Sequence, residues 1–231
     1  KRAVGLVAVD RSRYDEETFG LTVFSCTNVI YATGGPAGIY FSSVYPESQT
    51  CATGTALEAG AAGVNLTESQ YGIASTKFRW NLSGTYQQVI PAYISTDRDG
   101  GDEREFLDDY FATPGDMMNA VFLKGYQWPF DPRKLHRGGS SIVDVAVFKE
   151  TREKGRRVFL DFRVNPSGGG DEKGLRLEML NDVTREYLEK SGALLDTPIN
   201  RLLKMNPLAY KLYLDNGIDL KTERLEIDVC A

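Results

Sequence analysis

The sequence predicts an α+β protein, with β-strands towards the two ends of the chain and helices between them. Apolar, β-branched runs occupy residues 3–9 and 21–31 and return at 225–230. Helical spacing of apolar residues dominates the last third. The sequence has no internal repeat. It also lacks the regular alternation of strands and helices that would predict a parallel sheet. The 231 residues are enough for one or two domains with a sizeable core.

The first third of the chain is predicted to begin with a β-hairpin. Its strands are the apolar runs at 3–9 and 21–31, which a polar segment separates. Residues 32–38 follow as a glycine-rich turn, where glycines permit a close approach of the backbone to another group. Residues 54–62 then predict a short helix with a face of small residues and with Thr53 as its N-cap.

The rest of the chain is predicted to be mainly helical and to contain three strands. Residues 88–94 predict an edge strand, because Pro91 cannot donate a hydrogen bond to a β-ladder. Residues 114–126 predict a helix with Thr113 as N-cap and Pro114 at its first position. The other predicted elements are helices at 103–111 and 142–153, the latter capped by Ser140 or Ser141, a strand at 156–163, a flexible break at 166–170, helices at 175–188, 198–205 and 207–216, and a strand at 225–230.

Composition and charge exclude several classes of function. The 27 basic and 32 acidic residues are interleaved, so no basic surface is predicted for a nucleic acid. The apolar runs are too short for a membrane span. Cys26, Cys51 and Cys230 are an odd number without metal-ligand spacing, which favours a reducing, cytoplasmic location and no metal site. The one histidine, His136, is expected at the surface.

Three segments, in this order, carry a resemblance to a known family. Ala32-Thr33-Gly34-Gly35 ends a predicted strand, residues 53–61 read TGTALEAGA, and residues 155–163 read GRRVFLDFR. They resemble the "ATGG" strand end, the glycine- and alanine-rich helix and the "GRxVxLDxR" strand of the succinate dehydrogenase and fumarate reductase flavoproteins, a family that includes L-aspartate oxidase. The resemblance implies that the full-length protein is an FAD-dependent oxidoreductase.

The resemblance also implies a domain organisation. Residues 1–65 would be a remnant of the FAD-binding domain, made of the hairpin, the glycine turn and the short helix. Residues 66–224 would be the capping domain, which forms a lid over flavin and substrate, and residues 225–231 the strand that returns to the FAD-binding domain. Its partners would be the missing FAD-binding domain of the same chain and a small-molecule substrate. The chain begins with a strand and without methionine, so we expect it to be part of a longer protein.

The cofactor residues implied by the resemblance are Thr33, Gly34, Gly35 and Gly54. Family members hold the FAD pyrophosphate with a G-x-G-x-x-G turn before a helix, and this sequence has no such motif in that position. We therefore expect this fragment to bind no FAD by itself and to be inactive alone.

The substrate residues implied by the resemblance are Gln70, Tyr71 and Gly72. They occupy the place of the family's "QFHPT" segment, and Gly72 lacks the side chain with which the histidine there binds a dicarboxylate. The family also uses an arginine of the capping domain as proton donor. The candidates after Gln70 are Arg79, Arg98 and Arg104.

A second hypothesis belongs to another class of function. The chain could be a self-contained α+β binding or interaction module without redox chemistry. Colour distinguishes the two, because a flavoprotein is yellow.

Overall fold

The computed structural model describes residues 2–34, 40–45, 52–66, 70–136, 138–171 and 174–230. The chain divides into two compact units, one formed by Lys1–Ile39 with Glu47–Glu68 and the other by Tyr40–Pro46 with Ser69–Ala231. Helices and antiparallel sheets are both present, which confirms the predicted α+β class. Within the described part, no helix is both long enough and apolar enough to cross a membrane.

The first unit contains the predicted hairpin and the predicted short helix. Strand β1 (Gly5–Val9) pairs antiparallel with β2 (Leu21–Ser25). The connection closes at Gly20, whose φ of +71° is in the left-handed region and where a Cβ would lie 2.2 Å from the Asp10 carbonyl oxygen. Helix α1 (Thr53–Glu58) is shorter than predicted.

The N-cap of α1 differs from the prediction. Ala52, not Thr53, holds the N-cap position, and no side-chain hydrogen bond caps this helix. Thr53 is already the first helical residue. A helix of six residues without a side-chain cap has little stability of its own, so α1 depends on its neighbours in the unit.

Large apolar side chains are exposed on both faces of the hairpin. Val7 and Val23 lie on one face with exposed fractions of 65% and 74%, and Leu6 and Phe24 lie on the other with 45% and 53%. A two-stranded hairpin is at best marginally stable in water. The hairpin thus has large apolar side chains in solvent on both of its faces.

The second unit is built on a six-stranded antiparallel sheet with the strand order β4-β3-β10-β7-β5-β6. Its strands are β3 (Gly72–Ser75), β4 (Trp80–Asn81), β5 (Ala92–Thr96), β6 (Arg104–Glu105), β7 (Arg157–Asp161) and β10 (Leu225–Cys230). A separate pair is formed by β8 (Gly170–Asp171) and β9 (Gly174–Leu175). The last strand, expected to lead back to another domain, lies in the middle of this sheet.

Six helices belong to the second unit in its described part. They are α2 (Thr85–Gln88), α3 (Pro114–Lys124), α4 (Ser141–Phe148), α5 (Asp182–Lys190), α6 (Pro198–Met205) and α7 (Pro207–Asp215). The predicted start of α3 is confirmed, because the Thr113 hydroxyl accepts a hydrogen bond from the Asp116 amide at 3.1 Å and Pro114 follows Thr113. Ser140 holds the predicted N-cap position of α4, but its hydroxyl donates to Oε1 of Gln127 at 2.7 Å and makes no capping hydrogen bond.

Several other predicted elements are corrected by the structure. The strand at 88–94 is β5, which lies between β7 and β6 and is not an edge strand; Pro91 precedes it and leaves its ladder intact. The helix at 103–111 is wrong, because strand β6 and a 3-10 turn at Leu107–Asp109 occupy it. The helix at 175–188 begins only at Asp182.

The core of the second unit is apolar but includes two fully buried cationic side chains, Lys124 and Arg201. Arg201 donates from Nε to the Val89 carbonyl at 3.0 Å, from Nη1 to the Leu195 carbonyl at 2.8 Å and from Nη2 to Oδ1 of Asn165 at 2.7 Å. Burial lowers the pKa of Arg201 to about 9. One guanidinium thus joins three connecting segments to α6.

Candidate functional site

A cavity of about 370 Å³ lies in the second unit where β3 begins and β10 ends. Gly72 and Cys230 are register partners at this end of the two strands. The cavity is lined by Ser42, Tyr71, Val145, Phe148, Arg152, Val229 and Cys230. The structure therefore brings one predicted substrate residue, Tyr71, to the end of the last strand.

Tyr71 is held in place by Phe130. The two rings stack with their centroids 4.7 Å apart, and the Phe130 amide donates to the Tyr71 carbonyl at 2.8 Å. Partial burial, with the negative charge of Asp144 as a second cause, raises the pKa of the Tyr71 phenol. Tyr71 thus presents a neutral phenol at neutral pH.

Gly72 is buried beneath the indole of Trp128. A Cβ at this position would lie 2.8 Å from Cε2 of that ring, and Trp128 Nε1 donates to the Ile73 carbonyl at 2.9 Å. The glycine therefore permits close packing of the indole on β3. Gln70, the third predicted substrate residue, is exposed and does not line the cavity.

Gly72→Ala is expected to lower the free energy of unfolding by about 1–3 kcal/mol, because the added methyl overpacks the contact with Trp128. Urea denaturation measures this change. In a double-mutant cycle with Trp128→Leu, which removes the ring atoms in conflict, the same methyl should cost less. An equal cost in both backgrounds would show that Trp128 does not restrict position 72.

Arg152 is the charged residue of the cavity lining, and its side chain is 44% exposed. Nη2 of Arg152 lies 2.5 Å from Oδ2 of Asp228, and the Thr151 hydroxyl donates to Oδ1 of the same carboxylate at 2.7 Å. Thr151 and Arg152 belong to a π-helical turn, Lys149–Glu153, that continues α4. Such turns accommodate an extra residue and are frequent at functional sites. Nothing in the sequence distinguishes Arg152 from an ordinary solvent-exposed arginine at the end of a helix.

The three predicted arginines do not meet at one place, and none of them is among the lining residues of this cavity. Arg79 comes nearest, because it donates to the Phe41 carbonyl at 3.4 Å and its charge acts on the Cys230 thiol. Arg79 lies in the turn between β3 and β4, at one edge of the sheet, and Arg104 lies in β6 at the other. Six strands at their usual spacing separate these edges by about 24 Å. Arg104 pairs with Asp109 at 2.5 Å, and the exposed Arg98 donates to a backbone carbonyl at 3.3 Å. Arg104 also lies 3.7 Å from Oε1 of the buried Glu150, so Arg98 has a surface contact and Arg104 takes part in ion pairs.

The predicted cofactor residues do not enclose a ligand in the described part of the first unit. Thr33 and Gly34 are exposed, and the space beside Gly54 is open. Gly35 lies outside the described residues. A cavity of about 610 Å³ in this unit is lined by β1 and α1 and not by Thr33, Gly34 or Gly54. In the described part of this unit, Thr33, Gly34 and Gly54 do not form a cradle for a pyrophosphate, so these three residues do not fit a complete FAD site.

A buried ion pair lies behind the cavity wall formed by α4. Nζ of Lys124 is 2.6 Å from Oδ2 of Asp144, and both side chains are fully buried. Lys124 also donates to the Gln127 carbonyl at 3.0 Å, whereas Oδ1 of Asp144 has no hydrogen-bond partner in the described part of the chain. Burial raises the pKa of Asp144 to about 7 against the attraction of Lys124, and burial lowers the pKa of Lys124. Sequence reasoning missed this pair.

The charged residues of the GRRVFLDFR segment form ion pairs at the sheet. Asp161 is buried, and burial alone would raise its pKa; hydrogen bonds from Arg163 at 2.6 Å and Arg224 at 2.9 Å hold that pKa at about 2. Arg156 donates to the Ser95 hydroxyl and to the Asp102 carboxylate, both at 2.6 Å. These residues therefore stabilise the unit and do not face the cavity.

Comparisons with known proteins do not assign the chain to a family. No family model matches it, and no curated protein or solved structure matches it either. Among the residues with a described position, no group of three or more His, Cys, Asp or Glu side chains could hold a metal ion. A functional assignment rests on the residues of this chain and their geometry.

Proposed function

We propose that this chain is part of an FAD-dependent oxidoreductase that resembles the fumarate reductase and succinate dehydrogenase flavoproteins. In this proposal the second unit is the lid over flavin and substrate. The register of β3 and β10 carries the proposal. The resemblance implies that residues 70–72 bind the substrate and that the strand from residue 225 leads back to the flavin. Gly72 lies directly opposite Cys230, which belongs to that strand. Two segments far apart in sequence thus meet at one cavity.

The exposed hairpin of the first unit also supports the proposal. Val7, Val23, Leu6 and Phe24 leave apolar surface on both faces of β1 and β2. Strands of this kind suit the interior of a larger sheet with both faces covered. The FAD-binding domain of the same chain is the partner that would supply the missing strands and the cofactor site. The free thiols of Cys26 and Cys230 agree with a cytoplasmic location for it.

The residues of the cavity suit the task of a lid. Val145, Phe148 and Val229 are apolar residues of the lining, and an apolar lining favours the exclusion of water from a bound molecule. Charged groups interact more strongly once water is excluded, so Arg152 at the same cavity can orient an anionic substrate. The flavin would supply the hydride chemistry, and the residues of this chain position the substrate and keep it dry.

The colour of the full-length protein tests the proposal. We expect it to purify with a yellow chromophore that is released on denaturation and co-migrates with FAD. A full-length protein that stays colourless after incubation with FAD would contradict the proposal and favour the self-contained binding module.

The 231-residue chain by itself is expected not to bind FAD tightly, because Thr33, Gly34 and Gly54 do not enclose a ligand. Titration calorimetry or flavin fluorescence measures this, with the full-length protein as the positive control. Stoichiometric binding of FAD to the chain at low micromolar concentration would overturn the expectation.

A further inference from the structure

We propose that the cavity at the ends of β3 and β10 binds a small molecule with one carboxylate on an apolar body, and that Arg152 is its anion-binding residue. Only the description of this ligand as a substrate rests on the proposed function. Binding itself requires no flavin.

The shape and lining of the cavity define the body of the ligand. A volume of about 370 Å³ is in the range of small-molecule sites. Its lining includes the apolar residues Val145, Phe148 and Val229. Binding of an apolar ligand is favourable there, because it removes apolar surface from water. A polar body would lose its hydrogen bonds to water and find few partners here.

The charge of the cavity defines the head group. Nη2 of Arg152 donates to Asp228, whereas Nε and Nη1 have no partner in the described part of the protein. A guanidinium has five N–H donors, and two of its edges, Nε with Nη2 and Nη1 with Nη2, each offer two parallel donors to a carboxylate. Since Nη2 carries two N–H groups, one of these edges stays free when the other N–H donates to Asp228. Arg152 can therefore keep Asp228 and still bind one carboxylate of a ligand.

The other ionisable groups of the lining add no negative charge near neutral pH. Burial raises the pKa of the Cys230 thiol to about 11, and partial burial raises the pKa of the Tyr71 phenol. Arg152 is also the one cation among the lining residues that the structure describes. A ligand with two carboxylates would find no second cation among these lining residues, since Arg79 acts on Cys230 from outside the lining, so one carboxylate is the better fit.

Asp228 is the internal competitor for the same guanidinium. Its carboxylate holds Arg152 at 2.5 Å and accepts from the Thr151 hydroxyl at 2.7 Å. Asp228→Asn keeps an oxygen for Thr151 but removes the negative charge that Arg152 neutralises. The variant should therefore bind an anionic ligand more tightly, which a purely structural ion pair would not predict.

Binding of hexanoate to the full-length protein tests the proposal, with hexanol as the uncharged probe of equal length and adipate as the dicarboxylate. By calorimetry or ligand-observed NMR at pH 7, we expect hexanoate to bind at least tenfold more tightly than either. Arg152→Met should weaken hexanoate binding at least tenfold and leave hexanol binding unchanged. Asp228→Asn should strengthen hexanoate binding severalfold.

Lys149→Met is the matched control, because Lys149 lies on the same π-helical turn without lining the cavity. It should leave hexanoate binding unchanged. Equal affinities for hexanoate and hexanol, or equal losses in Arg152→Met and Lys149→Met, would overturn the proposal. If Arg152→Met does not fold, the Asp228→Asn variant supplies the test. An unchanged affinity of that variant for hexanoate would also overturn the proposal. If the protein is colourless but binds hexanoate as expected, the carboxylate site is supported and the flavin assignment is refuted. If the protein is yellow but binds no hexanoate, the flavin assignment is supported and the carboxylate site is refuted.

Discussion

At pH 8, Lys124→Met is expected to lower the free energy of unfolding by about 3–5 kcal/mol, because it leaves the buried carboxylate of Asp144 without its cation. Both side chains are fully buried and their charged atoms are 2.6 Å apart. Replacing both partners, as in Lys124→Met with Asp144→Leu, should recover most of the loss, since a buried ion pair is often no more stable than an apolar one. Urea denaturation of the three variants measures these changes.

The cost of Lys124→Met should also depend on pH. Burial raises the pKa of Asp144 from 3.8 to about 7, so the folded state retains a proton that the unfolded state releases. The stability from this group is complete below about pH 4 and is lost as pH rises through about 7. Without Lys124 the pKa rises further, so the variant should be closer to the wild type at pH 5 than at pH 8.

Lys211→Met is the control for Lys124→Met. Lys211 is exposed and lies 2.6 Å from Asp215, a surface ion pair worth at most about 1 kcal/mol. A loss of less than 1 kcal/mol in Lys124→Met at pH 8, equal to that of the control, would contradict the expected role of the buried pair.

Arg201→Met is expected to lower the free energy of unfolding by about 3–5 kcal/mol. The Val89 and Leu195 carbonyls and the Asn165 side chain would lose their buried donor, and each unsatisfied buried group costs about 1–3 kcal/mol. Arg201→Lys should recover only part of the loss, because an ammonium cannot reproduce the planar fork. Thermal and urea denaturation measure both variants.

Arg185→Met provides the matched comparison for Arg201. Arg185 is on the surface of α5, with its side chain 45% exposed, and pairs with Asp182 three residues earlier. Its replacement should change stability by less than about 0.5 kcal/mol. Equal effects at positions 185 and 201 would show that the buried hydrogen bonds of Arg201 contribute nothing in net terms.

The elements that could be predicted from the sequence are those defined by neighbouring residues. The hairpin β1–β2 follows from two apolar runs, and α3 follows from Thr113 and Pro114 at its start. Strand β10 follows from its alternating pattern. Capping, turn geometry and side-chain periodicity act over a few residues, so they can be recognised without knowledge of distant contacts.

Pairing between distant strands depends on contacts that local patterns do not contain. Strand β3 (Gly72–Ser75) has only four residues, all of them small except Ile73, and shows no strong strand pattern. Its partner β10 pairs with it from the other end of the chain. Residues 103–111 have a helical pattern, yet pairing of β6 with β5 makes their start extended. Tertiary pairing overrides local preference at both places.

By itself, the sequence determined the α+β class, the local elements with clear caps or alternation, and a set of candidate residues of which Tyr71 reaches the cavity. Only the tertiary structure decided that Arg152 joins it, that Trp128 covers Gly72, and that Lys124 meets Asp144 in the interior. The physical reason is that a cavity or a buried ion pair is made where distant segments pack together. Its energy comes from excluding water between those segments, and no single segment carries that information.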